Sequence, residues 1–170
     1  MSFQDTYNKI TSSEVFKKFI EENPQAELCA GFFILDFISN DSKKSLDYKF
    51  KDKIYTFELK DDGYIKFTED ELIKSANSPE LLKINPEIKV EIDELKGLTG
   101  IEALERGISS KFNKIIAVLQ NQLRDSKETA VWNLTCMLDG LIILNIIIDA
   151  STSEIIKFER KSMMDLIRKK

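Results

Sequence analysis

The stretch that leaves this chain the fewest options is Leu141-Ile142-Ile143-Leu144-Asn145-Ile146-Ile147-Ile148, in which five of eight residues are isoleucine. β-Branched side chains crowd the preceding turn of a helix and sit well on a pleated strand. The run is far shorter than the ~20 apolar residues that cross a bilayer, and Asn145 interrupts it. A strand apolar on both faces belongs in the middle of a covered sheet. Asp139-Gly140, directly before it, is a two-residue hairpin signal. The strand upstream therefore pairs with it, with Ala130, Trp132, Leu134, Cys136 and Leu138 on one face and Asn133, Thr135 and Asp139 on the other. Downstream, 149–153 turns the chain and 154–159 reads as a third antiparallel strand.

A helix is expected before this meander. Thr99 and Glu102 have capping-box spacing. Ile101, Leu104, Ile108, Phe112, Ile115, Ile116, Leu119 and Leu123 then recur at close to the helical period, up to Arg124-Asp125-Ser126. Gly107 marks a place for a kink or break. At the far end, Ser162 reads as the cap of a short helix over 163–168.

The first half has the same order. Thr11 and Glu14 open a helix whose apolar face is Val15, Phe16, Phe19 and Ile20, and Asn23-Pro24 stops it. Strands follow over 28–38, around Leu46, Tyr48 and Phe50, around Tyr55, Phe57 and Leu59, and, past Asp61-Asp62-Gly63, over 64–67. Thr68 and Glu71 predict a short helix to Ala76. Residues 77–98 read as a connector with a turn at Ser78-Pro79 and a short extra strand at Ile88, Val90 and Ile92. Tyr64-Ile65-Lys66-Phe67 resembles Ile155-Ile156-Lys157-Phe158, Ile34-Leu35-Asp36 resembles Met137-Leu138-Asp139, and Leu72-Ile73 corresponds to Leu166-Ile167. The expected organisation is thus a first α+β unit at 1–76, a connector at 77–98 and a second α+β unit at 99–170. Each unit is a helix plus an antiparallel β-meander, and the two close over each other as one compact body.

Composition narrows function mainly by exclusion. Apolar content of 42% and charged content of 32% suit a globular chain that needs neither disulfide nor metal for its core. A net charge of −4 disfavours nucleic acid. The basic cluster Arg160, Lys161, Arg168, Lys169 and Lys170 reads as the cationic end of a last helix. With no histidine, imidazole-based triads, zinc sites and proton shuttles are absent. Neither phosphate-loop spacing occurs. Met1 to Asp5 lacks the features of a signal peptide, so the expected compartment is the cytoplasm, with no membrane span and with Cys29 and Cys136 as reduced, buried thiols.

The stretch Asp149-Ala150-Ser151-Thr152-Ser153-Glu154-Ile155, with Trp132 early in the strand before it, resembles the closing hairpin of a PepSY domain. The resemblance covers 100–159, and the first half would be a more divergent copy. Ser153 stands where that family has glycine. What the resemblance implies is a cystatin-like helix-and-sheet fold and a binding role, with no catalytic residues to carry over.

Two sets of residues are candidates for a site. Trp132, Phe16, Phe19, Phe32 and Phe33 could line an apolar ligand pocket, although ordinary core accounts for them more simply. Asp36 and Asp139, each ending an apolar strand, could form a buried acid pair, although turn positions account for them more simply. Asp61, Asp62, Glu69, Asp70 and Glu71 form an acidic patch that fits no calcium loop and reads as solvated surface. The expectation is a non-enzymatic protein-interaction or regulatory module, without cofactor, metal or catalytic residues. It binds a protein partner through a sheet edge or the face between the halves, or a second copy through an edge strand or helix face as a homodimer. The alternative is a carrier or sensor of a small apolar ligand held between helix and sheet. A carboxylate-dependent enzyme comes third.

Overall fold

The structure, a computed structural model, describes residues 2–72 and 81–162. Its elements run α1 (Phe3–Thr11), α2 (Glu14–Glu22), β1 (Glu27–Asp36), β2 (Lys43–Phe50), β3 (Lys53–Leu59), β4 (Ile65–Glu71), α3 (Ile92–Glu105), β5 (Phe112–Arg124), β6 (Lys127–Leu138), β7 (Ile142–Asp149) and β8 (Ile155–Ser162). All eight strands belong to one antiparallel sheet, in the order β4-β3-β2-β1-β5-β6-β7-β8.

This single sheet corrects the expected architecture. Two PepSY- or cystatin-like units closing over each other would place separate sheets in two layers. Instead β1 pairs antiparallel with β5, from Gly31 opposite Leu119 to Asp36 opposite Lys114, and the two meanders join edge to edge. The reason lies in the two strands. Phe32 and Ile34 on β1 and Ile116 and Val118 on β5 are apolar on the face away from the core, and all four are only half-buried. As edges, such strands would present unpaired backbone beside apolar side chains. Pairing them removes both edges at once.

One row of side chains crosses the whole sheet: Phe67, Phe57, Leu46, Gly31, Leu119, Trp132, Ile148 and Ile155 are successive register partners. The helices cover this face. Phe3 of α1 meets Phe33 and Trp132 edge-on at 6.1 and 6.4 Å. Phe16 and Phe19 of α2 meet Tyr48, Tyr55 and Phe57. Arg106, past the end of α3, lies 4.3 Å over the ring of Phe158, which is on the same face. Leu144, Ile146 and Ile148 point into this core and are fully buried. Ile143 and Ile147, on the opposite face, are half-buried, shielded by their neighbours in the sheet rather than by any helix among the described residues.

Several elements differ from the expectation. The predicted helix over 99–124 is two elements. α3 ends in a left-handed turn at Gly107 (φ 80°), where the Gly107 N–H donates to Leu104 O and the Ile108 N–H to Ala103 O. That is the bonding of a Schellman cap. The remainder is β5. Residues 115, 119 and 123 are four apart, a spacing that keeps one face in a helix and also in a strand, so the apolar recurrence fits both. α3 itself begins earlier, at Ile92, and no extra strand forms at 88–92. There the Lys89 and Val90 N–H groups donate to Ala150 O, and Val90 O accepts from the Trp132 indole at 2.8 Å.

The N-terminal helix expected from Thr11 is α2, and a second helix that was not expected, α1, precedes it. Ser2 and Asp5 form a capping box for α1, and the Glu91 carboxylate accepts from the Phe3 and Gln4 N–H groups. Ser13, not Thr11, caps α2 through the Phe16 N–H. Thr68 to Glu71, expected to open a helix, continue β4. Residues 73–76 of that expected helix, and 163–168 of the last one, lie outside the described residues.

Candidate functional site

The five aromatic candidates do not converge. Neighbouring residues in a strand point to opposite faces, and so Phe33 joins the core while Phe32 lies on the open face with Lys43 Nζ 5.7 Å above its ring. Trp132 and Phe33 are fully buried with their rings 5.8 Å apart, and Phe3, which sequence reasoning missed, completes their cluster. The Trp132 N–H is satisfied by Val90 O. Phe16 and Phe19 belong to a second aromatic group with Tyr48, Tyr55, Phe57 and Phe67. Only the rim of that group opens outward. Val15, Lys18, Phe19, Tyr55, Phe67 and Glu69 line a groove of about 480 Å³ beside β4.

The two acids lie at one end of the β1–β5 joint, and each is already engaged. Asp36 accepts from the Ile38 and Ser39 N–H groups at 2.9 Å and from the Ser39 hydroxyl at 2.6 Å, with Lys114 Nζ at 3.9 Å. The Ser39 hydroxyl, those backbone donors and Lys114 hold its carboxyl well below the usual carboxylate range. A depressed folded-state value makes the anion stabilising above its unfolded titration near pH ~4, and that contribution is lost as pH falls toward the folded value. Asp36 is therefore a turn anchor that stays charged. Asp139 is exposed and accepts from the Asn113 side-chain amide at 2.8 Å.

Burial pushes the thiols of Cys29 and Cys136 up to about 12, which keeps both protonated. One acid was overlooked. Asp47, on the outer face of β2, is raised by burial although the Thr56 hydroxyl donates to it at 2.7 Å. It alternates with Leu46 and Tyr48, which marks it as outward-facing but gives no sign of its desolvation. In the acidic patch, Asp62 accepts from the Tyr64 N–H and Glu69 pairs with Lys53 at 2.9 Å. Among the described residues no three His, Cys, Asp or Glu side chains are placed to share a metal ion.

The turn after β7 keeps its shape without glycine. Asp149 Oδ1 accepts from the Ser151 and Thr152 N–H groups at 2.7 and 3.1 Å, and Ser153 itself takes the left-handed conformation at φ 65°.

The sheet's two ends carry the groups with unused bonding capacity. β4 and β8 are its edge strands, and among the described residues no strand pairs with their outer sides. On β4 the phase of the ladder is set by two bonds, Lys60 N–H to Tyr64 O and Leu72 N–H to Asp52 O. Because antiparallel pairing alternates, 66, 68 and 70 bond inward to β3. The N–H and C=O groups of Ile65, Phe67, Glu69 and Glu71 then face outward. From Lys66 to Glu71 every side chain on β4 is exposed.

No family model and no curated protein matches this chain. Among solved structures it is similar to that of a "putative lipoprotein" from Clostridium difficile 630, with a TM-score of 0.59 and 11% identity over 87% of this chain and 91% of the other. At that identity the likeness is one of fold. Among the described residues no helix is long and apolar enough to cross a membrane.

Proposed function

We propose that this protein is a non-enzymatic interaction module that takes an extended segment of a protein partner as an added strand on β4. The observation that carries this reading is the open edge itself, with the backbone groups of residues 65, 67, 69 and 71 turned outward. In strand addition the main chain supplies affinity and side-chain pockets supply selectivity. The groove lined by Val15, Phe19, Tyr55 and Phe67 opens on the core side of the same edge and offers an apolar seat for alternate side chains of the incoming strand. Glu69, Asp70 and Glu71 outweigh Lys66 in charge, so the segment that fits is basic. The same acids repel a second copy of the edge, which guards it against indiscriminate pairing.

Glu69→Pro tests this. Proline removes an N–H that points away from β3, so the sheet keeps its own ladder while the edge loses a donor and gains a ring that blocks approach. Wild-type protein used as bait in a lysate of its source should capture a partner bearing a basic extended segment. Glu69→Pro should retain one-tenth of that capture or less, with its circular dichroism unchanged. Capture undiminished by the proline would refute strand addition at β4.

A further inference from the structure

The opposite edge has a different character. β8 carries Lys157, Glu159 and Lys161 at alternate positions on the outer face, with Glu159 Oε atoms 3.4 Å from Lys157 Nζ and 3.7 Å from Lys161 Nζ. Phe158 and Arg160 point to the helix side.

We infer that β8 is the strand through which two copies of this chain join, antiparallel, about a two-fold axis at Phe158. A strand meeting its own copy in this way brings residues together whose numbers share one fixed sum, so each register can be judged by charge. Centring on Phe158 sets Lys157 of each copy against Glu159 of the other, twice, and places the two Phe158 rings side by side. Centring on Lys157 or Glu159 opposes like charges directly, and centring on Arg160 does the same with two arginines. Like charges directly opposite are destabilising and unlike charges favourable. Of the registers centred on residues 157 to 160, only the Phe158-centred one opposes unlike charges without directly opposing like ones.

The geometry of the fold permits this join. A two-fold axis normal to the sheet leaves α1, α2 and α3 of both copies on one side and extends the eight described strands to sixteen. Arg106 lies over Phe158 on the helix side, and its guanidinium is already paired with Glu102 at 2.9 Å. The contact is narrow, one strand wide, so the dimer is a weak, reversible one. This inference is independent of the reading of β4, since it concerns the other edge.

Sedimentation equilibrium of the full chain, up to about 1 mM, tests it. The wild type should show a monomer–dimer equilibrium that weakens as salt is raised. Lys157→Glu and Glu159→Lys should each raise the dimer dissociation constant about ten-fold or more, since either change opposes like charges twice. The double variant Lys157→Glu/Glu159→Lys should return it to within about three-fold of wild type, because the swap restores both pairs. Glu69→Pro should leave the dimer unchanged, which separates this outcome from that of the β4 experiment. Circular dichroism checks that each variant is folded. A monomer at every concentration would overturn the inference. So would a dimer indifferent to the single reversals, or a swap that fails to restore it.

Discussion

Replacing Trp132 by alanine should destabilise the fold by about 4 kcal/mol, the largest effect of any single truncation in this chain. The indole is fully buried, stands between Leu119 and Ile148 in the row that crosses the sheet, and packs edge-on against Phe3 and Phe33. Truncation removes that apolar area and leaves a cavity bounded by two elements that cannot collapse independently, α1 above and the sheet below. It also leaves Val90 O without the N–H that anchors the connector. Trp132→Phe separates the two contributions: it keeps most of the ring and loses the bond, and should cost about 1–2 kcal/mol. Urea unfolding gives both values from the midpoint at constant slope. A loss under about 1 kcal/mol for the alanine variant would mean that the aromatic cluster is not the centre of the core.

Valine at Gly31 should destabilise by about 2–3 kcal/mol, against the trend expected of a strand. In strands valine is favoured over glycine by up to about 1 kcal/mol. Here space decides the sign. A Cβ on Gly31 would lie 3.0 Å from Phe33 Cε2, 3.4 Å from Leu119 Cβ and 3.6 Å from Leu46 Cδ2. Phe33 cannot swing aside, because Phe3 and Trp132 hold its ring. Leu119 sits on β5, so any outward shift strains the joint between the two meanders. Gly31→Ala should be the milder change, and a stabilised Gly31→Val would show that β1 does not approach β5 as described.

Much of the strand content was legible in the sequence, because it is written locally. The alternation through Leu46 to Phe50 and Tyr55 to Leu59 appears where expected, and so does the hairpin at Asp139-Gly140, although Leu138 pairs with Ile142 and Leu141 joins the turn rather than the strand. The β1–β5 joint was not legible, because no turn connects the two strands and register between distant strands leaves no local mark. The apolar outer faces of both strands, Phe32 and Ile34 against Ile116 and Val118, were the available hint. They were read instead as one strand over 28–38 and as part of a helix over 99–124. β5 was taken for a helix because its apolar residues recur at a spacing common to both periods, although Ile115, Ile116 and Val118 are β-branched. α1 was missed because the first residues were weighed only as an export signal, while Ser2 and Asp5 already had cap spacing.

The candidate sites divide in the same way. Asp36 and Asp139 were placed correctly at strand ends, and their turn bonding follows from that position. Phe32 and Phe33 could not share a pocket, since adjacent strand residues face opposite ways. The β4 and β8 edges depend on strand order, and strand order is a property of the whole sheet.

The joint between the halves is best tested by through-space proton contacts in solution. Phe37 N–H donates to Asn113 O, so the pairs Phe32–Val118 and Ile34–Ile116 occupy the close, non-bonded positions of the ladder, where facing α-protons nearly touch. Nuclear Overhauser spectra should show strong α-proton cross-peaks for both pairs, with the β1 and β5 amides among the slowest to exchange. If both cross-peaks are missing and those amides exchange as fast as the amides of β4, the two meanders are separate sheets and the single-sheet fold is wrong.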